Sequence, residues 1–162
     1  MKDELSIQID MLLSEGSDRF KIWKQLRSTE NKPSLRHYLN NKALLKDKNT
    51  YKYLNIFLSL ILLFVTISQI KLAVDIEKGI YFFASLVVPM INIYILKEVI
   101  FFRRSAYLFL FILSALSFIH QENRHFPEFM FIFAMIAISS FLYLKLFSKK
   151  DLIPASAVEK QA

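Results

Sequence analysis

The densest group of side chains capable of chemistry is the polar stretch His120–Glu128. Within it, His120, Glu122 and His125 offer imidazole and carboxylate groups, which are ligands suited to zinc or a similar ion. The stretch does not have two histidines one helical turn apart with a third ligand elsewhere. A connection between two apolar segments is also polar whether or not it binds a metal ion. We therefore keep the three residues as metal-ligand candidates and predict a solvated connection without a metal.

Pro89 and Asn92 form the second notable combination, because they lie within one helical turn of each other in an apolar run. A proline inside a helix removes one backbone hydrogen bond and can kink the helix. An asparagine amide one turn away can bond to a neighbouring helix. We interpret the pair as a fit between neighbouring helices, with the lining of a binding cavity as the alternative.

Residue patterns that are typical of catalysis or cofactor binding do not occur in this chain. It has no cysteine and only two glycines, which are too few to build a glycine-rich phosphate loop. We find no nucleophile with a neighbouring base and no pair of catalytic carboxylates. The sequence therefore predicts a protein that is not an enzyme and that carries no cofactor.

The chain contains four apolar runs, and these must position its functional residues. They lie near residues 54–72, 80–97, 102–119 and 128–147. The chain has 35 Lys, Arg, Asp and Glu residues, but only 12 of them lie between residues 53 and 147. A helix needs about 20 apolar residues to cross a bilayer. The third run is short unless the apolar stems of Arg103 and Arg104 extend it. We predict an all-α integral membrane protein with a four-helix transmembrane bundle over 51–148.

The distribution of lysine and arginine predicts the orientation of this bundle. The amino-terminal segment, the 97–104 connection and the carboxyl tail together contain 18 of them, and the other two connections contain three. Positive residues stay on the cytoplasmic side during insertion, so both termini are expected there. The first fifty residues are too polar for a cleavable signal. The expected location is a bacterial inner membrane.

Residues 1–50 are expected to form about three short helices, as a cytoplasmic head in front of the bundle. Leu5 and Ile9 begin a helical spacing of apolar residues, Gly16 is a suitable helix end, and Pro33 is a suitable helix start. Fifty residues bury little surface, so we expect the head to lean on the membrane or on a partner. Residues 149–162 are expected to be a flexible cytoplasmic tail.

The apolar face of this head is our candidate partner-docking surface. Its residues are Phe20, Trp23, Leu26, Leu35 and Leu39. Three helices with a net positive charge resemble a helix-turn-helix module, but the connection after Arg27 is long for that motif and the third helix lacks a cluster of base-reading residues. The sequence therefore argues against a nucleic-acid partner. Its lysines and arginines are better suited to anionic lipid headgroups.

Three functions remain open at this point. The first is a non-enzymatic accessory or scaffold subunit of the membrane, which docks another membrane or cytoplasmic protein through its head. The second is an ion channel or small transporter formed by a homo-oligomer, because four spans enclose little volume alone. The third is an immunity-type protein that neutralises a membrane-inserting toxin. The bilayer is the partner common to all three.

Overall fold

The computed structural model describes residues 2–74, 79–119 and 126–159, and this part of the chain is all-helical, without a strand, as the sequence predicts. The helices, numbered in chain order, are α1 Lys2–Ser14, α2 Arg19–Leu26, α3 Lys32–Asn41, α4 Leu45–Val74, α5 Ile80–Ile100, α6 Arg104–Ile119, α7 Glu128–Leu146 and α8 Ser156–Glu159. A short 3-10 turn, Lys149–Asp151, follows α7.

Three helices are long and apolar enough to cross a membrane, namely α4, α5 from Tyr81 onward, and α7. Their mean hydropathies over the best window are 2.2, 1.7 and 2.0. These helices fit a helical membrane protein. The fourth predicted span corresponds to α6, whose 16 residues rise only about 24 Å at about 1.5 Å per residue.

The four long helices form a ring in which α4 contacts α5 and α7, while α6 contacts the same two helices. Their outer surface carries many large apolar side chains, such as Phe83, which is 70% exposed, and Leu144, which is 69% exposed. Exposed apolar side chains in such number suit lipid rather than water. The interior is filled by a cluster to which all four helices contribute, including Leu58, Leu62, Val99, Tyr107, Leu110 and Leu142.

The three amino-terminal helices pack around a second apolar cluster. In α1, Leu5, Ile9 and Leu13 recur every four residues, so they lie on one buried face. Gly16 ends this helix with a φ of +83°, a conformation that glycine adopts without steric cost. The Asn31 side chain caps α3 by accepting a hydrogen bond from the backbone N–H of Ser34.

The carboxyl segment after α7 folds back onto this second cluster. Ile153 is 1% exposed and packs within it, and the partly buried Ala157 lies against it. This arrangement differs from the flexible tail that the sequence predicts for 149–162. The reason is that the apolar Ile153 finds a buried position among the amino-terminal helices, which are more than a hundred residues away in the chain.

The turn between α5 and α6 has a backbone conformation that is uncommon for its residue. Phe102 has a φ of +54°, and its N–H donates to the carbonyl of Val99, while the N–H of Arg103 donates to the carbonyl of Glu98. This pair of bonds is the Schellman helix ending, in which glycine usually takes the left-handed position. The side chain of Phe102 packs against the bundle cluster instead. The turn thereby directs Arg103 and Arg104 towards the amino-terminal helices.

Candidate functional site

The most polar buried region of the described chain is the place where α3, the start of α6, the end of α7 and residues 149–153 meet. We call this region the junction. Arg19 lies at its centre and is 1% exposed. Its guanidinium donates to the carbonyls of Leu39 at 3.0 Å, Lys42 at 2.6 Å and Asp151 at 3.3 Å. This buried side chain of α2 therefore joins the carboxyl end of α3 to the carboxyl segment.

The charge on Arg19 is buried at a cost that its neighbours partly offset. Burial lowers the pKa of Arg19, the charge of Arg104 acts in the same direction, and the carboxylates of Asp151 and Asp47 oppose both. An arginine nevertheless stays protonated in proteins. Its guanidinium also lies 5.7 Å from the ring centre of Phe147, within the range of a cation–π contact.

Asn40 fastens the carboxyl segment to α3. Its amide donates to the carbonyl of Ile153 at 2.9 Å and accepts from the backbone N–H of Ile153 at 2.8 Å. The Nε of Arg36 donates to the same carbonyl at 2.9 Å. The backbone of Ile153 is thus paired on both sides, as a buried backbone requires.

Lys42, which follows the last residue of α3, connects the end of that helix to α1. Its ammonium donates to the carbonyl and the hydroxyl of Ser6 at 2.7 Å and 3.0 Å, and lies 2.6 Å from a carboxylate oxygen of Asp10. Lys42 is 4% exposed, and this burial lowers its pKa, although the hydrogen bond to Asp10 opposes the shift. Lys42 also forms an isolated antiparallel bridge with Arg103 in the turn before α6.

The amino end of α6 completes the junction. The Asn41 side chain accepts from the backbone N–H of Ser105 at 2.9 Å, so a residue of α3 caps α6. Arg104 donates to the hydroxyl of Tyr143 at 2.7 Å and stacks 5.2 Å from the centre of the same ring. A pocket of about 350 Å³ opens here, and its lining consists of Arg36, His37, Asn40, Asn41, Arg104, Ser105, Leu108 and Tyr143.

Most of the residues that sequence reasoning assigned to partner docking are interior residues of the folded chain. Trp23 and Leu26 are 5% and 6% exposed, and Leu35 and Leu39 are completely buried in the second cluster. Of the five residues of the predicted docking face, only Phe20 is solvent-exposed, with 44% of its surface accessible. The error arose because an apolar helix face that packs inside the chain has the same spacing as one that meets a partner.

Two apolar residues that the sequence did not single out are open on α1. Ile7 is 58% exposed and Met11 is 55% exposed, and they lie one turn apart on the side opposite Ile9. A helical wheel of α1 contains the signal that was missed. Leu5, Ile9 and Leu13 already occupy one face, which leaves Ile7 and Met11 on another.

The asparagine side chains within the bundle bond to neighbouring helices. Asn92 donates to the side-chain carbonyl of Gln69 at 2.9 Å, which joins α5 to α4, and Pro89 is buried within an unbroken α5. Asn55 donates to the carbonyl of Val99 at 3.0 Å. The hydroxyl of the fully buried Tyr107 donates to the Asn55 side chain at 2.7 Å. This last network joins three helices.

The metal-ligand candidates His120, Glu122 and His125 lie outside the residues that the structure describes. Across residues 2–74, 79–119 and 126–159, no group of three or more histidine and acidic side chains is arranged to hold a metal ion.

Comparisons with protein-family models, with curated proteins and with solved structures find no match for this chain. The fold and the junction therefore define the molecule only as a helical protein with three helices that are able to span a membrane.

Proposed function

We propose that the chain crosses a bacterial inner membrane four times, with α6 as the fourth span and both ends in the cytoplasm. The excess of lysine and arginine at the two ends and in the 97–104 connection supports this orientation. A second argument comes from the junction. Asn40 and Ile153 bond directly, which supports an even number of crossings, because an even number brings the segments before the first span and after the last to the same side.

The short α6 is compatible with crossing because its ends carry suitable residues. Arg103 and Arg104 precede the apolar stretch, and long basic side chains can extend from the hydrocarbon edge to the headgroups. Tyr143 lies beside Arg104 near the end of α7, and tyrosine favours the membrane interface.

We infer that this protein is a non-enzymatic accessory or scaffold subunit that holds a partner protein at the membrane surface. The observation that carries the proposal is the rigid attachment of the amino-terminal helices to the bundle through the junction. A buried arginine of α2, bonded to three backbone carbonyls, keeps α2, the end of α3 and the carboxyl segment in one arrangement. Such an attachment presents the surface of α1 and α2 in a constant orientation, which lowers the entropic cost of binding a partner.

The use of the buried amide side chains in interhelical bonds also supports a scaffold. Asn92 with Gln69, and Asn55 with Tyr107, satisfy each other between helices. Groups used in this way stabilise the bundle, where each such bond contributes about 0.6–2 kcal/mol.

The proposed contact surface on the head is the open apolar pair Ile7 and Met11. Isolation of the intact protein from its native membranes in mild detergent is expected to recover a partner protein in a constant ratio. Replacement of both residues by aspartate should abolish this recovery without unfolding the chain, because neither residue is buried. The matched control is the double change of the exposed Gln8 and Ser14 to aspartate, which adds the same charge to the same helix.

Equal recovery of the partner by the two double variants would refute the α1 surface. Absence of any stoichiometric partner from the wild-type protein would refute the scaffold function itself.

The membrane topology is tested separately by cysteine labelling. The chain has no native cysteine that would interfere with this assay. Single cysteines at Lys24 and Ala155 should react only from the cytoplasmic side, and one at the exposed Phe126 only from the opposite side.

A further inference from the structure

The pocket at the junction has a charge pattern that the scaffold function does not explain. Among the described residues, its lining contains two arginines, Arg36 and Arg104, together with His37, and no carboxylate. Arg36 is half-buried and uses its Nε for the Ile153 carbonyl. This bond uses one of the five N–H donors of the guanidinium. A cavity that is lined by two guanidinium groups and by no acidic residue favours the binding of an anion.

Arg104 is held in place by its neighbours and is not a freely moving surface charge. Its bond to the Tyr143 hydroxyl and its stacking on the Tyr143 ring hold the guanidinium over α7. The hydroxyl accepts this bond and therefore keeps its own hydrogen for donation. The pocket thus offers planar guanidinium donors and a hydroxyl donor. Guanidinium groups match the oxygens of a phosphate in geometry as well as in charge.

From this arrangement we propose that the junction pocket binds a phosphate group, with Arg36 and Arg104 as its principal ligands. The ligand chemistry is a phosphate ester, either the headgroup of an anionic phospholipid or a soluble phosphate ester. The lipid is favoured by Leu108, which lines the pocket, is 42% exposed, and lies one turn into the apolar part of α6. An acyl chain can follow α6 from there while the headgroup remains between α3 and α7. Basic pockets at the ends of membrane helices are suited to such headgroups.

The choice of the lipid source rests on the membrane placement proposed above, but not on any partner protein. The test therefore uses only the purified intact chain in detergent, titrated by calorimetry with three probes. These are short-chain phosphatidylglycerol, glycerophosphoglycerol as the same headgroup without acyl chains, and short-chain diacylglycerol as the same chains without phosphate. Tighter binding of the lipid than of the free headgroup would assign the pocket to a phospholipid. Equal binding of the two would assign it to a soluble phosphate ester.

The decisive variants remove or neutralise the pocket charge. Replacing Arg36 and Arg104 by glutamine is expected to weaken binding of the phosphate probe by about tenfold or more, since hydrogen bonds to charged groups are strong. The control, Lys21→Gln with Lys24→Gln, removes the same charge from exposed positions of α2 and should leave the affinity unchanged.

A second variant tests the proposal in case the double arginine variant does not fold. Ser105→Asp places a carboxylate in the pocket at the start of α6, where a negative charge favours the helix. It should keep the fold, judged by the emission of the single tryptophan, and abolish binding. Ser28→Asp, at an exposed turn, should not affect binding. Binding of the diacylglycerol as tightly as of the phospholipid, absence of any phosphate-dependent binding, or equal loss of binding in the controls would overturn the proposal.

Discussion

Replacement of Ile153 by alanine is the sharpest test of the contact between the carboxyl segment and the amino-terminal helices. The side chain is 1% exposed within the second cluster. The bonds from Asn40 and Arg36 reach only the backbone of residue 153, so alanine keeps them. The substitution therefore isolates the contribution of the apolar side chain.

The expected cost follows from the carbon atoms that are removed. Isoleucine has three more carbons than alanine, which at about 0.8 kcal/mol per buried carbon gives about 2.4 kcal/mol. The cavity that remains adds to this transfer free energy, and measured costs for such changes are about 2–5 kcal/mol. We expect the free energy of unfolding of the amino-terminal helices to fall by about 3 kcal/mol, a factor of about 150 in their unfolding equilibrium.

The emission of Trp23 provides the assay, since it is the only tryptophan and packs in the same cluster as Ile153. Urea titration of the detergent-solubilised protein is expected to give a lower midpoint for Ile153→Ala. The matched control is Ile7→Ala, the same chemical change at a residue that is 58% exposed, with an expected effect within about 0.5 kcal/mol. Equal midpoints for the two variants would refute the reasoning, because they would mean that the carboxyl segment contributes no burial.

Three further predictions concern the polar contacts of the protein. Asn40→Ala should cost about 1–3 kcal/mol by the same tryptophan assay, because it leaves the backbone N–H of Ile153 buried without its acceptor; an unchanged midpoint would contradict the observed pairing. Tyr107→Phe should cost about 1 kcal/mol in unfolding by sodium dodecyl sulfate followed by circular dichroism. Asn55→Leu should cost more, because it also removes the bond to the Val99 carbonyl of α5 and leaves the buried Tyr107 hydroxyl without its acceptor. The cost of the double variant should be less than the sum, and additive costs would contradict a shared bond. Burial lowers the pKa of Lys42, so the unfolded chain binds more protons than the folded chain between the lowered value and 10.5. The stability that Lys42 contributes is therefore complete above 10.5 and is lost as the pH falls through the lowered value. The wild type should therefore gain stability relative to Lys42→Met as the pH rises towards 10.5, and a constant difference would argue against the buried charge.

The segregation of charge and apolar residues was sufficient to predict an all-helical protein with membrane-spanning helices. Helix formation depends on local spacing, capping and turn residues, and these can be read within a window of a few residues. Gly16 illustrates this, because its left-handed conformation at the end of α1 is one that glycine readily adopts. Phe102 takes the same left-handed conformation without any such residue signal, because its side chain is held by the bundle.

The candidate site could not be predicted in the same way, because its contacts join distant parts of the chain. Trp23 and Leu39 were assigned to a partner surface on their helical spacing, yet they are covered by the chain itself. Spacing tells which residues share a face, but not what covers that face. Only the fold brought Ile153 to α3 and thereby closed this core.

The amino-acid sequence by itself predicted that this chain is helical and that it has helices apolar enough for a membrane, because both properties depend on neighbours in sequence. The tertiary structure alone decided the partners of its buried charges. Nothing in the sequence distinguishes Arg19 from the other cations of its basic segment, but the fold surrounds it with the carbonyls of Leu39, Lys42 and Asp151. A charge becomes structural or functional only through the groups that desolvate and pair it, and residues 19 and 151 meet only when the chain has folded.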